Sequence, residues 1–276
     1  MIIDALKRVG YTTRFDRSIS NSIIGHTDLQ CLQICYNDYN EKYNNDGHLI
    51  RLPADMHIYL HSTLKTNIAN TASNSVYVVG SSICHLKGLC EYSSFIHSSV
   101  VVHYGTRGNL DKVLDSLDNV TKSLKPSHHY PLLLENASGE GTELGVTVDE
   151  IRHVFEKCNN TKIGMCLDTC HAFSAGYHVE QIDQLTLLLE ELEDISSKHL
   201  RMIHLNDSKH PCQSRKDRHE NIGQGYIWSN DKSSLDYLLD YGSDMQIDFI
   251  LETPNSSTDL QYIRQNHMQL KRKLKL

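Results

Sequence analysis

Six short apolar runs constrain this chain more than any other feature: HIYLH (57–61), SVVVHY (99–104), YPLLLEN (130–136), IGMCLD (163–168), LRMIHL (200–205) and IDFILET (247–253). They are apolar at consecutive rather than alternate positions, the pattern of strands buried on both faces of a parallel sheet. LQCLQIC (29–35) and RVGY near residue 9 extend the series to eight. Amphipathic stretches lie between them. NLDKVLDSLDNVTKSL sets Leu110, Val113, Leu114, Leu117 and Val120 on one helical face, and EQIDQLTLLLEELEDI does the same with Ile182, Leu185, Leu189, Leu192 and Ile195. TVDEIRHVFEKC opens with Thr147 and Glu150 at capping-box spacing. Strands alternating with helices predict a parallel α/β fold. Eight such units over 276 residues suit a single-domain (β/α)₈ barrel spanning 1–276, with a basic tail at about 269–276.

The ends of the runs carry the chemistry. They close on His61, His103, Glu135, Asp168, His204 and Glu252, with His171 three residues beyond Asp168. In a parallel barrel the C-terminal strand ends share one face, where catalytic groups gather. One histidine at a strand end is ordinarily just hydrogen-bonded, and Asp168 alone reads as a helix cap. The same event on six successive strands points to a metal cluster, because imidazole and carboxylate together suit divalent transition metals. A second cluster, HLNDSKHPCQSRKDRHENIGQG (204–225), adds Asp217 and His219 two residues apart, among the cations Lys209, Arg215, Lys216 and Arg218. Beside a metal face such a loop suits phosphate; on its own it is a solvated polar loop.

Composition sets the outer limits. With 39% hydrophobic and 22% charged residues the chain reads as soluble, and no apolar run approaches membrane-spanning length. The start, MIIDALKRVGYTTRF, has no signal-peptide pattern, so an intracellular protein is expected, in cytoplasm or nucleus alike. The eight cysteines are then expected reduced. Cys166 and Cys170 lack a second matching pair for a zinc module. Cys166 reads as a packing residue, as do Cys31 and Cys35, while Cys170, between Asp168 and His171, is the lesser candidate ligand. A net charge of −7 is discouraging for a nucleic-acid binder.

The motifs LLLENASGEGTELG (132–145), CLDTCHAFSAGY (166–177), MIHLNDSK (202–209), DRHENIGQG (217–225) and LETP (251–254) resemble the endonuclease IV family of apurinic/apyrimidinic endonucleases, in that family's order and over nearly the whole chain. The resemblance implies a (β/α)₈ barrel with three zinc ions, manganese being an alternative at one site. His61 and His103 would bind the first zinc, and Glu135 would bridge it to a second that also takes Asp168, His204 and Glu252. A third would take His171, Asp217 and His219. The resemblance prefers His61 to the nearby His57. Glu135, Asp168 and Glu252 would be the catalytic carboxylates, holding the ions that lower the pKa of a bridging water. The implied substrate is double-stranded DNA with an abasic or 3′-blocked site. It would be cut 5′ to the lesion by a monomer to leave a 3′-hydroxyl and a 5′-deoxyribose phosphate, with 3′-end trimming as a second activity. Three divalent ions add roughly +6 to the formal charge of −7, all at the DNA-facing end.

The chain departs from the family where that family reads damage. The wedge position after the third strand falls on Leu64 and Lys65 rather than on an aromatic and an aliphatic residue. The loop CYNDYNEKYNND (35–46) offers Tyr39 and Asn40 but no arginine. Lys209, Arg215 and Arg218 complete the expected DNA contacts. Two other readings stand beside this one. A sugar isomerase or epimerase on a related barrel would need fewer metals than these donors supply. A non-catalytic DNA-binding module would be expected to have lost a ligand.

Overall fold

Eight short segments pair in parallel and close on themselves. The computed structural model describes residues 8–14, 31–36, 56–73, 75–95, 98–124, 131–158, 162–195 and 200–273. The barrel strands are β1 (Val9–Arg14), β2 (Cys31–Cys35), β3 (His57–His61), β4 (Ser99–His103), β5 (Leu132–Glu135), β6 (Ile163–Asp168), β7 (Leu200–His204) and β10 (Asp248–Leu251). They run round the barrel in the order β1, β10, β7, β6, β5, β4, β3, β2. Between β7 and β10 lies a two-stranded antiparallel ribbon, β8 (Asp207–Ser208) with β9 (His219–Glu220). The described helices are α1 (Ser75–Phe95), α2 (Leu110–Thr121), α3 (Val148–Lys157), α4 (Thr169–Ala175), α5 (Ile182–Ile195), α6 (Ser233–Asp244) and α7 (Ser256–Lys273). Among the described residues none is long and apolar enough to cross a membrane.

The two faces of every barrel strand but β1 go to two separate cores. Leu32, Leu60, Val102, Leu134, Leu167, Ile203 and Leu251 point outward into the layer between sheet and helices. Their neighbours Cys31, Tyr59, Val101, Leu133, Cys166, Met202 and Ile250 form a second apolar cluster inside the barrel. That is why the runs read as continuously apolar: the period-two alternation is present, but both faces are dry. Each fully buried Leu, Ile or Val in these layers is worth about 1.5–3 kcal/mol.

The helices cover the outer face as their periodicity predicts. Val113, Leu117 and Val120 of α2 are buried, and so are Leu185, Leu189 and Leu192 of α5. Leu110 and Leu114 are only half-buried, and Ile182 is exposed at its helix end. At the start of α3 the Thr147 hydroxyl accepts from the Glu150 amide at 3.2 Å. The Glu150 carboxylate does not return to Thr147; it accepts from the amides of Gly145 and Val146 instead, satisfying the turn before the helix. At the floor of the barrel Asp248 accepts from Arg8 Nη1 at 2.9 Å and from the Tyr59 hydroxyl at 2.8 Å, and faces His57 Nδ1 at 2.6 Å. His57 is thus committed to the floor, at the opposite end of β3 from His61.

Candidate metal centre

The inner apolar cluster ends abruptly toward the C-terminal mouth. Two residues after each of its members stands a polar side chain: Gln33, His61, His103, Glu135, Asp168, His204 and Glu252. A step of two keeps a side chain on the same face of a strand, so all seven belong to the inner face. The sheet register levels neighbours, pairing His103 with Glu135 and Asp168 with His204. Asp168 does two jobs. Its Oδ1 accepts from the His171 amide at 2.8 Å and so caps α4, while Oδ2 turns toward His204 and His219. Capping starts the helix where His171 is carried into the mouth. Gly176, with φ of +116°, ends it within two turns.

Donor atoms converge in several overlapping groups. His61, His103 and Glu135 form one, and Glu135, Asp168, His204 and Glu252 another; a third, around Asp217 and His219, also draws in Asp168, Cys170 and His171. Glu135 divides between them. Its Oε2 lies 3.0 Å from His61 Nε2 and 3.5 Å from His103 Nε2, and its Oε1 lies 2.9 Å from His204 Nδ1. In the third group His171 Nε2 and His219 Nε2 each stand 3.2 Å from Asp217 Oδ1. All nine residues expected from the sequence therefore meet in one mouth. Cys170, which stands between Asp168 and His171 in the sequence and is the lesser candidate ligand there, also comes close to Asp217 and His219, with its thiol 3.8 Å from the Arg218 carbonyl.

The ring orientations fit a metal. A carbonyl can only accept, so the rings that face one must donate to it. His61 Nδ1 donates to the Ser62 carbonyl at 2.8 Å, His171 Nδ1 to that of Asn136 at 2.9 Å, and His219 Nδ1 to that of Glu252 at 3.2 Å. In the neutral ring, the form that binds metal, each bond leaves the Nε2 lone pair aimed into the mouth. The Nε2 atoms of His171 and His219 are buried and make no well-directed hydrogen bond, though each lies 3.2 Å from Asp217 Oδ1, a spacing that an ion between the three would suit. Oxygen and imidazole donors in this mixture suit zinc or a neighbouring divalent metal.

Several supporting residues were not read from the sequence. Gln33 is fully buried, faces His204 Nε2 with its oxygen at 2.9 Å and donates to Glu252 at 2.7 Å. Asn136 accepts from the Asp168 amide, and Asn206 donates to Asp168 Oδ2 at 2.7 Å. The buried carboxylate of Asp207 accepts from the amides of Ser208, Gly223, Gly225 and Ile227, folding the segment that follows His219. Gly225 must be glycine, since a Cβ there would sit 2.3 Å from the Ser208 carbonyl oxygen. Glu140 accepts from the Asp217 amide at 3.1 Å and pairs with Arg218 at 3.3 Å. The only sequence signal for these residues is a polar side chain inside an apolar run, as at Gln33, or adjacency to a donor, as at Asn136 and Asn206.

Without a metal the donors share protons. Burial works against charge on His171, but Asp168, Asp217 and Glu135 outweigh it and hold its pKa well above the usual range. His219 is pushed up to about 9 by the same contest, with Asp217, Asp168 and Glu252 prevailing over burial. Burial wins at His103, whose pKa is lowered. Burial would raise Glu135, yet His103, His204 and His61 hold its carboxyl well below the ordinary range.

The expected DNA contacts are less defined. Leu64 is 84% exposed on the loop after β3, with Lys65 exposed beside it. Lys209 and Arg215 are exposed on the loop between β8 and β9, Arg215 in a left-handed conformation with φ of +52°. Arg218 is exposed but rests on Glu140. Tyr39 and Asn40 lie outside the described residues, as do the side chains of the basic tail.

Residues 53–273 match the family described as xylose isomerase-like TIM barrels. The chain is 32% identical over 217 residues to a probable endonuclease 4 of Mycoplasma mobile, covering 78% of this chain and 74% of that protein. It is 32% identical over 208 residues to a probable endonuclease 4 of Staphylococcus saprophyticus, covering 73% and 68%. Its fold is similar to that of endonuclease IV from Thermus thermophilus, with a TM-score of 0.77 at 22% identity over 95% of this chain and 99% of that one. A D-tagatose 3-epimerase-like protein shares the barrel with a TM-score of 0.65 at 16% identity, over 97% and 99%.

Proposed function

The chain belongs to the endonuclease IV family, and from that premise we propose that it is a DNA-repair apurinic/apyrimidinic endonuclease working through three zinc ions. It would hydrolyse the phosphodiester 5′ to an abasic site in double-stranded DNA, leaving a 3′-hydroxyl and a 5′-deoxyribose phosphate, and trim blocked 3′ ends. One observation carries the reading: the two oxygens of Glu135 face different donor groups, His61 and His103 on one side and His204 on the other. A carboxylate so divided suits two neighbouring ions, and the third group around Asp217 stands next to them.

Zinc bound there would supply a water of lowered pKa and polarise the phosphate oxygens. The chain's own residues would do the rest. Glu135 would hold the spacing of the pair. Asp168 would tie the second group to the third, since its Oδ2 lies 3.8 Å from His204 Nδ1 and 3.6 Å from His219 Nε2. Lys209, Arg215 and Arg218 would take phosphates flanking the lesion. Leu64 and Lys65 would enter the duplex at the missing base, an apolar tip offsetting lost stacking and a cation meeting the backbone. The third donor group disfavours a sugar isomerase, and the complete set of nine donors disfavours a non-catalytic binder.

The test is incision of a duplex carrying a single abasic site, run with elemental analysis of the same preparation. Cleavage 5′ to the lesion with about three zinc per chain is expected. A folded preparation that retains one metal, or that leaves the duplex intact when zinc-loaded, overturns the reading.

A further inference from the structure

We propose that Gln33 is a positioning residue, whose one side-chain amide fixes the tautomer of His204 and the orientation of Glu252 together. The inference rests on the metal reading above. Gln33 stands on the inner face of β2, fully buried, in register with Thr12 and Tyr59, and its side chain reaches the donors of β7 and the segment after β10. Its Oε1 lies 2.9 Å from His204 Nε2. Its Nε2 donates to Glu252 Oε1 at 2.7 Å and to Thr12 Oγ1 at 3.0 Å, and the Thr12 hydroxyl donates to the same carboxylate oxygen at 3.1 Å. Turning the amide over would set oxygen against carboxylate, so the network admits one orientation. In it an amide oxygen faces His204 Nε2, which must therefore carry hydrogen. Nδ1 is left to face Glu135 at 2.9 Å and Glu252 Oε2 at 3.2 Å, where an ion would sit. Through this residue β2 shapes the centre although it supplies none of the nine donors.

The experiment compares zinc-loaded wild type with Gln33→Met and Gln33→Glu. Zinc per chain is read during titration with a graded chelator, and His204 by long-range ¹H–¹⁵N NMR. The Met variant keeps the length but neither donates nor accepts. It should release one zinc at about 10- to 100-fold lower chelator concentration, and the His204 Nε2–H signal should move. The zinc of the third group, which Gln33 does not touch, should be retained and so reports on the fold. Glu keeps the acceptor for His204 but sets a carboxylate against Glu252, so it should lose the same zinc while the His204 signal stays. Wild-type zinc release and an unmoved His204 signal in the Met variant would overturn the role of Gln33 alone. A wild type that holds no zinc would overturn the metal reading beneath it.

Discussion

Glu135 is the residue on which the proposed chemistry turns. Glu135→Gln keeps the shape and both buried contacts on one oxygen, but an amide nitrogen donates rather than binds metal. The first and second groups should lose their common member, and kcat for abasic-site incision should fall about 10³-fold or more. The fold should persist, because Leu133 and its inner-layer neighbours are untouched. A variant that cuts at near wild-type rate would refute the bridging role. Leu64 belongs to the proposed reading of the lesion. At 84% exposure it packs on little of its own protein, so Leu64→Ala should leave stability within about 0.5 kcal/mol. It should weaken binding to abasic duplex while leaving single-turnover cleavage of bound DNA nearly unchanged; the reverse pattern would count against the wedge. The convergence of the nine candidate donors was legible in the sequence because each closes an apolar run or stands in a polar motif after one. Gln33 was not, because an amide carries no charge signal and its partner His204 lies 171 residues away.

The ribbon of β8 and β9 with the loop that follows is the element on which the third donor group depends. Asp217 and His219 lie on or beside short strands with little core of their own, and the carboxylate of Asp207 gathers four amides to hold the segment behind them. Asp207→Ala should therefore loosen the third zinc about 10- to 100-fold and spare the pair held by Glu135. Loss of all three zincs together, or of none, in elemental analysis would contradict this division. Six of the barrel strands were readable because their apolar runs are continuous, β1 and β2 only by completing the series, and the cap of α3 because Thr147 and Glu150 have the right spacing. The ribbon was not, since strands of two residues have no periodicity to read. The half-burial of Leu110 and Leu114 shows a related limit: periodicity gives the face of a helix, while its tilt on the sheet decides which part of that face is covered.

For the whole molecule the donors should make stability depend on pH in a way that reverses with the proposed metal. In the metal-free protein His219 has its pKa raised from 6.5 to about 9, and His171 and His204 move in the same direction. Stability from these groups is fully present below pH 6.5 and is lost as pH climbs toward 9. Glu135, Asp217 and Glu252 are depressed, so their contribution is lost as pH falls through the acid range. Zinc demands neutral imidazole and so gains as protons leave. Thermal unfolding should show Tm falling from pH 6.5 to 9 after chelation and holding or rising over the same interval with zinc; parallel profiles would exclude this account. The two-residue step from inner apolar layer to donor has one more consequence. Each donor-bearing strand works as a ruler with a single permitted graduation. One residue inserted between Met202 and His204 would turn the imidazole out among the helices. Two would restore the face but lift the ring about 6.6 Å beyond its partners. The chain can lengthen or shorten between strands, but the last two rungs of each donor-bearing one tolerate no change of length.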